Sequence, residues 1–292
     1  MIYAALKGRL GNQMFIYAFA YALSRENNNE LIILRCSEPI RLYNYNLKNI
    51  GDTSNKFCRT FATKIRQFLY AKAELKFSRK NLFAFEKKIR PFYEKNGLFY
   101  CQNGYLPFKR KNCNLDDISI NGYFQSERYF DKYKSEIKTI FAPITQPKNT
   151  AFFNNIKNCQ NPVCVDFRLG DYINNPLHSV CTIEYYKKAI KMMNEKISNP
   201  TFFIFSTDID IVKKAFADTD CNFVYEDGSS EDFEKLFMMS SCKYFIITNS
   251  TYDWWAQYLC NNEDKIVIAP SRWFNGKCPC DIYQDNWLLI DC

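Results

Sequence analysis

Residues 162–176 read PVCVDFRLGDYINNP, and the way this stretch ends decides how the second half of the chain folds. An apolar run, Val163-Cys164-Val165, leads through Asp166 and Phe167 to Arg168, after which Leu169, Gly170 and Asp171 break it. Short apolar runs closed by turn residues read as buried strands. A strand that delivers an arginine into a turn implies an anion at its tip. Toward the C-terminus the pattern turns regular: IEYYKKAIKMMNEKI reads as helix, FFIFST as strand, and DIDIVKKAFAD as a helix capped by Thr207 or Asp208. FVYE is a short strand and EDFEKLFMMSSC a helix. YFIITN is a strand, STYDWWAQYLC a helix capped by Asn249 or Ser250, and KIVIAP the final strand. Alternation of this kind predicts a parallel, doubly wound sheet.

The N-terminus carries a βαβ signature. Ile2–Leu6 is apolar, GRLGNQ breaks it, Met14–Arg25 has helix-forming character, and LIILRC resumes as strand. GRLGNQ resembles a dinucleotide loop without being GxGxxG; Gly11 permits close backbone approach, and Asn12 offers an amide donor and acceptor. Residues 45–115 read as helical and irregular, 118–123 as a strand, and FQSERYFDKYKSEIKTIF as a helix. Pro143, Pro147 and the polar residues up to Thr150 read as a linker. The expected division is therefore 1–148 and 149–292, an α/β chain of two Rossmann-type doubly wound domains.

With 47% hydrophobic and 17% aromatic residues in 292, disorder is excluded and two cores can be filled. No apolar stretch reaches the roughly 18–20 residues of a membrane span. MIYAALKGRLGNQ meets charge and glycine too early for a secretory signal, so a cytoplasmic location is expected. The 13 cysteines include no CxxC and mostly sit in apolar runs, as reduced core thiols do. The single histidine, His178, precludes a His-rich metal site, and no metal is expected.

The net charge of +8 is concentrated: residues 56–111 hold 15 Lys/Arg against 3 Asp/Glu. Phe57, Phe61, Ile65, Phe68 and Leu69 interleave it at helical spacing. Such a stretch is either a solvated helical face or a surface drawn to an anionic membrane or a lipid-linked acceptor. No recognition motif accompanies the charge, which argues against nucleic acid.

In doubly wound sheets ligands bind beyond the carboxyl ends of the strands. Three strand ends therefore matter: Arg168–Asp171, Ser206–Asp208 and Asn249–Thr251. Ser250 and Thr251 would open a helix, where free N–H groups and the macrodipole favour a phosphate. Arg168 could add a forked contact to the same group. Each feature alone also serves as an ordinary cap or surface ion pair.

The segments GRLGNQMFIYAFAYAL, GYFQSERYF, FRLGDYINNPLHSVCTIEYYKKAI, FFIFSTDIDIVKKAF and MMSSCKYFIITNSTYDWWAQYL followed by IVIAPSRWF resemble, in this order, the family 11 glycosyltransferases, the bacterial α-1,2-fucosyltransferases. They cover most of the chain outside residues 40–115. The resemblance implies a GT-B-type fold with the donor on the second half and the acceptor on the first. It implies transfer of L-fucose from GDP-fucose to the 2-hydroxyl of a galactose-type acceptor, inverting and metal-independent, in surface polysaccharide or O-antigen synthesis. No cofactor beyond the donor is implied, and the acceptor would be a galactose-containing oligosaccharide or lipid-linked glycan, met in the cytoplasm or at the inner face of the membrane.

The resemblance puts Arg168 on the donor pyrophosphate. Candidate donor contacts are Gly11, Asn12, Asp166, Arg168, Asp208, Asn249, Ser250 and Thr251; catalytic candidates are Arg168, Asp171 and His178. The general base stays open among Asp171, Asp166 and His178. The family's histidine falls on Asp166 and its second arginine on Leu169, while Asp253, Gln257 and Tyr258 are less typical neighbours of the tryptophan pair. Two rival readings stand beside this one. Asp208-x-Asp210 resembles the acidic pair that holds Mn²⁺ in GT-A enzymes, although i and i+2 on a helix face apart. Asp166 and Leu169 could instead mark an inactive homologue that binds nucleotide sugar or carbohydrate.

Overall fold

The computed structural model describes residues 1–34, 39–47, 79–102, 104–108, 113, 115–168 and 175–292. Leu169, Asp171 and, within the basic stretch 56–111, residues 56–78, 103 and 109–111 lie outside the described residues. The chain divides into one unit of Met1–Ala142 with Lys277–Tyr283 and a second of Pro143–Gly276 with Gln284–Cys292.

The first unit begins with β1 (Ile2–Ala5), α1 (Leu10–Asn27) and β2 (Leu31–Leu34). It continues through α2 (Arg79–Lys95), β3 (Leu98–Cys101) and β4 (Ile118–Gly122) to α3 (Lys134–Ile140). Its described strands form a parallel sheet in the order β2-β1-β4-β3. Helix α1 starts four residues before the expected Met14, because Gly8 makes the turn at φ +77° and extended Arg9 leads directly into the helix. Leu10 through Ser24 are nearly all buried, so Gly11 sits inside the helix rather than in a loop.

Two expectations fail here. Strand β3 lies in a region read as helical and irregular. The helix expected over FQSERYFDKYKSEIKTIF is instead two 3₁₀ turns, Glu127–Tyr129 and Asp131–Tyr133, followed by the short α3. Phe124 takes φ +51° and its ring stacks on Phe19 at 4.3 Å, while Phe130 leaves helical geometry at φ −145°. Burial of these rings overrides the helical periodicity of their sequence.

The second unit contains α4 (Thr150–Asn158), β5 (Pro162–Phe167), α5 (Ile183–Lys196), β6 (Thr201–Ser206), α6 (Ile209–Ala215) and β7 (Asn222–Tyr225). It continues with α7 (Asp232–Ser240), β8 (Tyr244–Ile246), α8 (Thr251–Leu259), β9 (Val267–Pro270) and β10 (Leu288–Ile290). The sheet is parallel throughout, in the order β7-β6-β5-β8-β9-β10. KIVIAP is therefore not the final strand: β10 adds to β9, a three-residue run too short to stand out in sequence. Helices cover both faces. Val163, Val165 and Phe167 pack with Tyr185, Tyr186 and Ile190 of α5 on one side. On the other, Phe152 of α4 meets Phe203 and Phe205 of β6, each at 5.5 Å, and its neighbour Phe153 meets Phe237 of α7. Every residue of β5 is buried, as a central parallel strand requires. Among the described residues, no helix is long and apolar enough to cross a membrane.

Gly122, at φ +144°, pairs with Cys101, and a Cβ there would lie 2.0 Å from the Cys101 carbonyl oxygen. Gly122→Ala should cost about 1–3 kcal/mol of stability through strain at the end of β4. Urea unfolding reads this directly; a variant as stable as the parent would refute it.

Candidate active site

The strand order reverses between β5 and β8. From β5 the chain moves by way of α5 to β6 on one side, and from β8 by way of α8 to β9 on the other. A crevice at the carboxyl ends of such a strand pair is where open α/β sheets hold ligands. Two of the sequence candidates meet there: Arg168, directly after β5, and the Asn249–Thr251 turn that opens α8.

Arg168 is partly exposed, and its backbone is held. Its N–H donates to the Tyr186 hydroxyl at 3.2 Å, and that hydroxyl donates to the Asp166 carbonyl at 3.2 Å. The Phe167 ring stacks on Tyr186 at 4.0 Å. On the neighbouring strand, the Ser206 hydroxyl donates to the Phe167 carbonyl and accepts from the Asp208 N–H. The strand end that presents the guanidinium is thus pinned from two elements.

Alternation puts Cys164 and Asp166 on the face of β5 opposite Val163, Val165 and Phe167, toward α8. Asp166 is only 6% exposed and lies beside the carboxyl of Asp253, which is fully buried. Burial first, then the charge and hydrogen-bonding influence of the Asp253 carboxyl, push Asp166 well above the usual carboxylate range. Arg168 and Lys235 pull the other way. The second oxygen of Asp253 accepts from the Thr248 N–H at 2.8 Å and hydroxyl at 2.7 Å, which ties the end of β8 to the first turn of α8. Neither Thr248 nor Tyr186 carries a local sequence signal for this role. Asp253 does, as an odd neighbour of the tryptophan pair.

Ser250, not Asn249, caps α8: its hydroxyl accepts from the Tyr252 N–H at 3.2 Å. Asn249 is 2% exposed and spends its amide internally, donating to the carbonyls of His178 and Trp273, each at 3.0 Å. His178 closes a turn, its N–H donating to the Asn175 carbonyl, and its ring lies 5.4 Å from that of Phe274. The described part of the loop after Arg168 is therefore fastened to the α8 turn. Thr251 is the first residue of α8 and partly exposed.

An open pocket of about 580 Å³ lies beyond β6 and β7, lined by Thr207, Asp208, Asp210, Asp227, Gly228 and Lys235. Asp208 precedes α6, but its carboxylate accepts from the Thr207 hydroxyl at 2.8 Å and does not cap the helix. Lys235, which only the fold brings here, lies 3.3 Å from buried Glu226. Glu226 also accepts from the N–H groups of Gly228 and Ser230, shaping the pocket's rim. Among the described residues, no group of three or more His, Cys, Asp or Glu is arranged to hold a metal.

In the first unit, β1 and β4 are the adjacent central strands of the sheet. The Asn12 side chain accepts from the Gln125 amide at 2.9 Å. Lys7, absent from the sequence reading, donates to Gln102 and Asn121 at 3.3 Å and sits 4.7 Å over the Tyr123 ring. Buried Gln13 donates to the Gly8 and Pro39 carbonyls and accepts from the Arg41 N–H. Gly11 is a buried residue in the first turn of α1.

Comparison with known proteins gives these features a context. The family model for glycosyl transferase family 11 matches residues 106–291. The chain is 31% identical to an α-1,2-colitosyltransferase of Escherichia coli, with all of this chain and 99% of that one covered. It is 29% identical to the O-antigen biosynthesis glycosyltransferase WbnK of Escherichia coli, covering 99% and 100%. Among solved structures it resembles a mutant of Arabidopsis thaliana FUT1 in complex with GDP, at TM-score 0.51 and 8% identity over 95% of this chain and 72% of that one. It also resembles the NodZ α-1,6-fucosyltransferase soaked with GDP-fucose, at TM-score 0.51 and 10% identity over 88% and 91%. At such low identity these two likenesses speak for the fold alone, and that fold is GT-B. With the family model covering both the Arg168 strand and the α8 turn, and a relative matching from end to end, the chain belongs to glycosyl transferase family 11.

Proposed function

We propose that this glycosyltransferase moves L-fucose, or its 3-deoxy counterpart colitose, from a GDP-linked donor to the 2-hydroxyl of a galactose-type acceptor in O-antigen synthesis. The observation that carries the proposal is the position of Arg168 at the β5–β8 reversal, beside the turn that opens α8. The names of the two E. coli relatives support the sugar and the setting. GDP and GDP-fucose in the titles of the structural neighbours support the donor.

In this reading the acceptor oxygen attacks the anomeric carbon as the bond from that carbon to the β-phosphate oxygen breaks, with inversion. The acceptor hydroxyl loses its proton to a base, and GDP leaves with the extra negative charge. Fixed donors stabilise that charge best when they are aimed before reaction. Arg168 supplies a forked contact, and the N–H groups at the start of α8 add the helix dipole. The pocket beyond β6 and β7 takes the nucleoside. Guanine offers two adjacent donors, its ring N1–H and exocyclic amine, which a carboxylate such as that of Asp208 can accept. Gly11 and Asn12 lie at the start of α1, in the unit that takes the acceptor in this scheme.

Asp166 is buried, and burial pushes its carboxyl well above the usual range, so Asp171 and His178 are the bases to test. Asn249 and Ser250 act by shaping the turn. A lipid-linked acceptor would be met through the basic stretch 56–111, testable by binding to anionic vesicles.

Arg168→Ala should lower kcat/KM by about 10²- to 10³-fold. Arg168→Lys should recover only a small part, since an ammonium cannot make the forked contact. A donor panel of GDP-fucose, GDP-colitose, GDP-mannose and UDP-galactose against galactosides, followed by nucleotide release, tests the substrate. Turnover that persists in EDTA is expected; activity lost to EDTA and restored by Mn²⁺ would favour the Asp208/Asp210 reading. GDP binding without any transfer would favour an inactive homologue.

A further inference from the structure

We propose that Asp166 donates a retained proton to Asp253, and that this acid-to-carboxylate hydrogen bond is the positioning brace between the Arg168 strand end and the turn that opens α8. Asp166 Oδ2 and Asp253 Oδ1 are both buried, neither receives an N–H or O–H from another residue, and the two carboxyls lie beside each other. Ionised carboxylates only accept, so a bond that satisfies both oxygens requires a proton on one carboxyl. The other oxygen of Asp253 already accepts twice from Thr248, which makes Asp253 the acceptor and Asp166 the donor. The brace is continuous with the strand end: the Asp166 carbonyl accepts from the Tyr186 hydroxyl, which in turn accepts from the Arg168 N–H.

The groups around the pair let it keep one proton and no more. Arg168 from β5 and Lys235 from α7 lower the cost of one negative charge. Cys164, Cys181, Tyr185 and Tyr186 surround the pair, and burial pushes each of them upward, so all stay neutral. A second negative charge in this enclosure would repel the first and drive the two strand ends apart. It would also repel a diphosphate at the crevice. Donor affinity should therefore fall as the proton is lost, a link that rests on the donor reading above.

The direction for stability follows from linkage. The folded chain holds a proton that the unfolded chain releases near the ordinary aspartate value, so stability declines as pH rises from there toward the raised folded value. Asn at position 166 keeps a donor toward Asp253 and does not titrate.

The test is GDP binding by calorimetry on the full chain from about pH 5 to pH 9, together with ligand-free thermal unfolding over the same range. GDP's own phosphate titration is common to all proteins and cancels in ratios between them. For the parent, Kd should rise by up to about tenfold per pH unit once the proton leaves. Asp166→Asn should flatten that rise, and likewise the alkaline loss of unfolding temperature. Asp253→Asn, which can accept from Thr248 and donate to Asp166, removes the neighbouring charge and should move both changes to lower pH; it serves if the first variant does not fold. Parallel pH profiles for the parent and an asparagine variant would overturn the proposal, since a group that only fills space gives a uniform shift. If no protein binds GDP at any pH, the donor reading fails, and the ligand-free curves still decide whether the proton is there.

Discussion

The pairing of β5 with β8 joins residues some 80 positions apart, Val163 to Tyr244 and Val165 to Ile246, and the rest of the site depends on it. Because the strands run parallel and the order reverses between them, both deliver their carboxyl ends to one edge. A one-residue slip would turn Asp166 toward α5 and Phe167 toward Asp253. The apolar set Val163, Val165 and Phe167 forbids that slip, since its burial against Tyr186 and Ile190 is specific to one face. Hydrophobic register therefore places a polar site.

Around that edge the chain buries more acid than a place for an anion would suggest. Asp166, Glu226 and Asp253 are all nearly inaccessible. Buried charge is costly unless paired or hydrogen-bonded, and each has a different remedy. Glu226 has Lys235 and two backbone N–H groups, Asp253 has Thr248, and Asp166 has a proton. These acids act as internal struts that fix turns and strand ends. Asp166 and Asp253, far apart in the sequence, are thereby connected.

Much of this was legible in the sequence where the hydrophobic period was strong. The strand–helix alternation after residue 160, the arginine at the tip of β5 and the helix beginning at Thr251 follow from local patterns. Misreadings came where long-range burial overruled local preference. Phe124 adopts a left-handed backbone to stack on Phe19, dissolving a helix that the spacing of aromatic residues suggested. Strands β3 and β10 each adjoin another strand in chain order with no described helix between them, so the strand–helix alternation that marks the others does not flag them. Asn249 has the composition of a ligand contact, yet its amide is spent on His178 and Trp273, which no local pattern encodes.

The sequence by itself determined the family, the parallel α/β character of each half and the arginine strand end, because these are written in periodicities and motifs of under about 20 residues. Only the tertiary structure decided which side chains converge there. Lys235, Thr248 and Asp253 reach the Arg168 edge through the order of strands in the sheet. That order is set by how six short apolar runs bury one another, and no single run contains it.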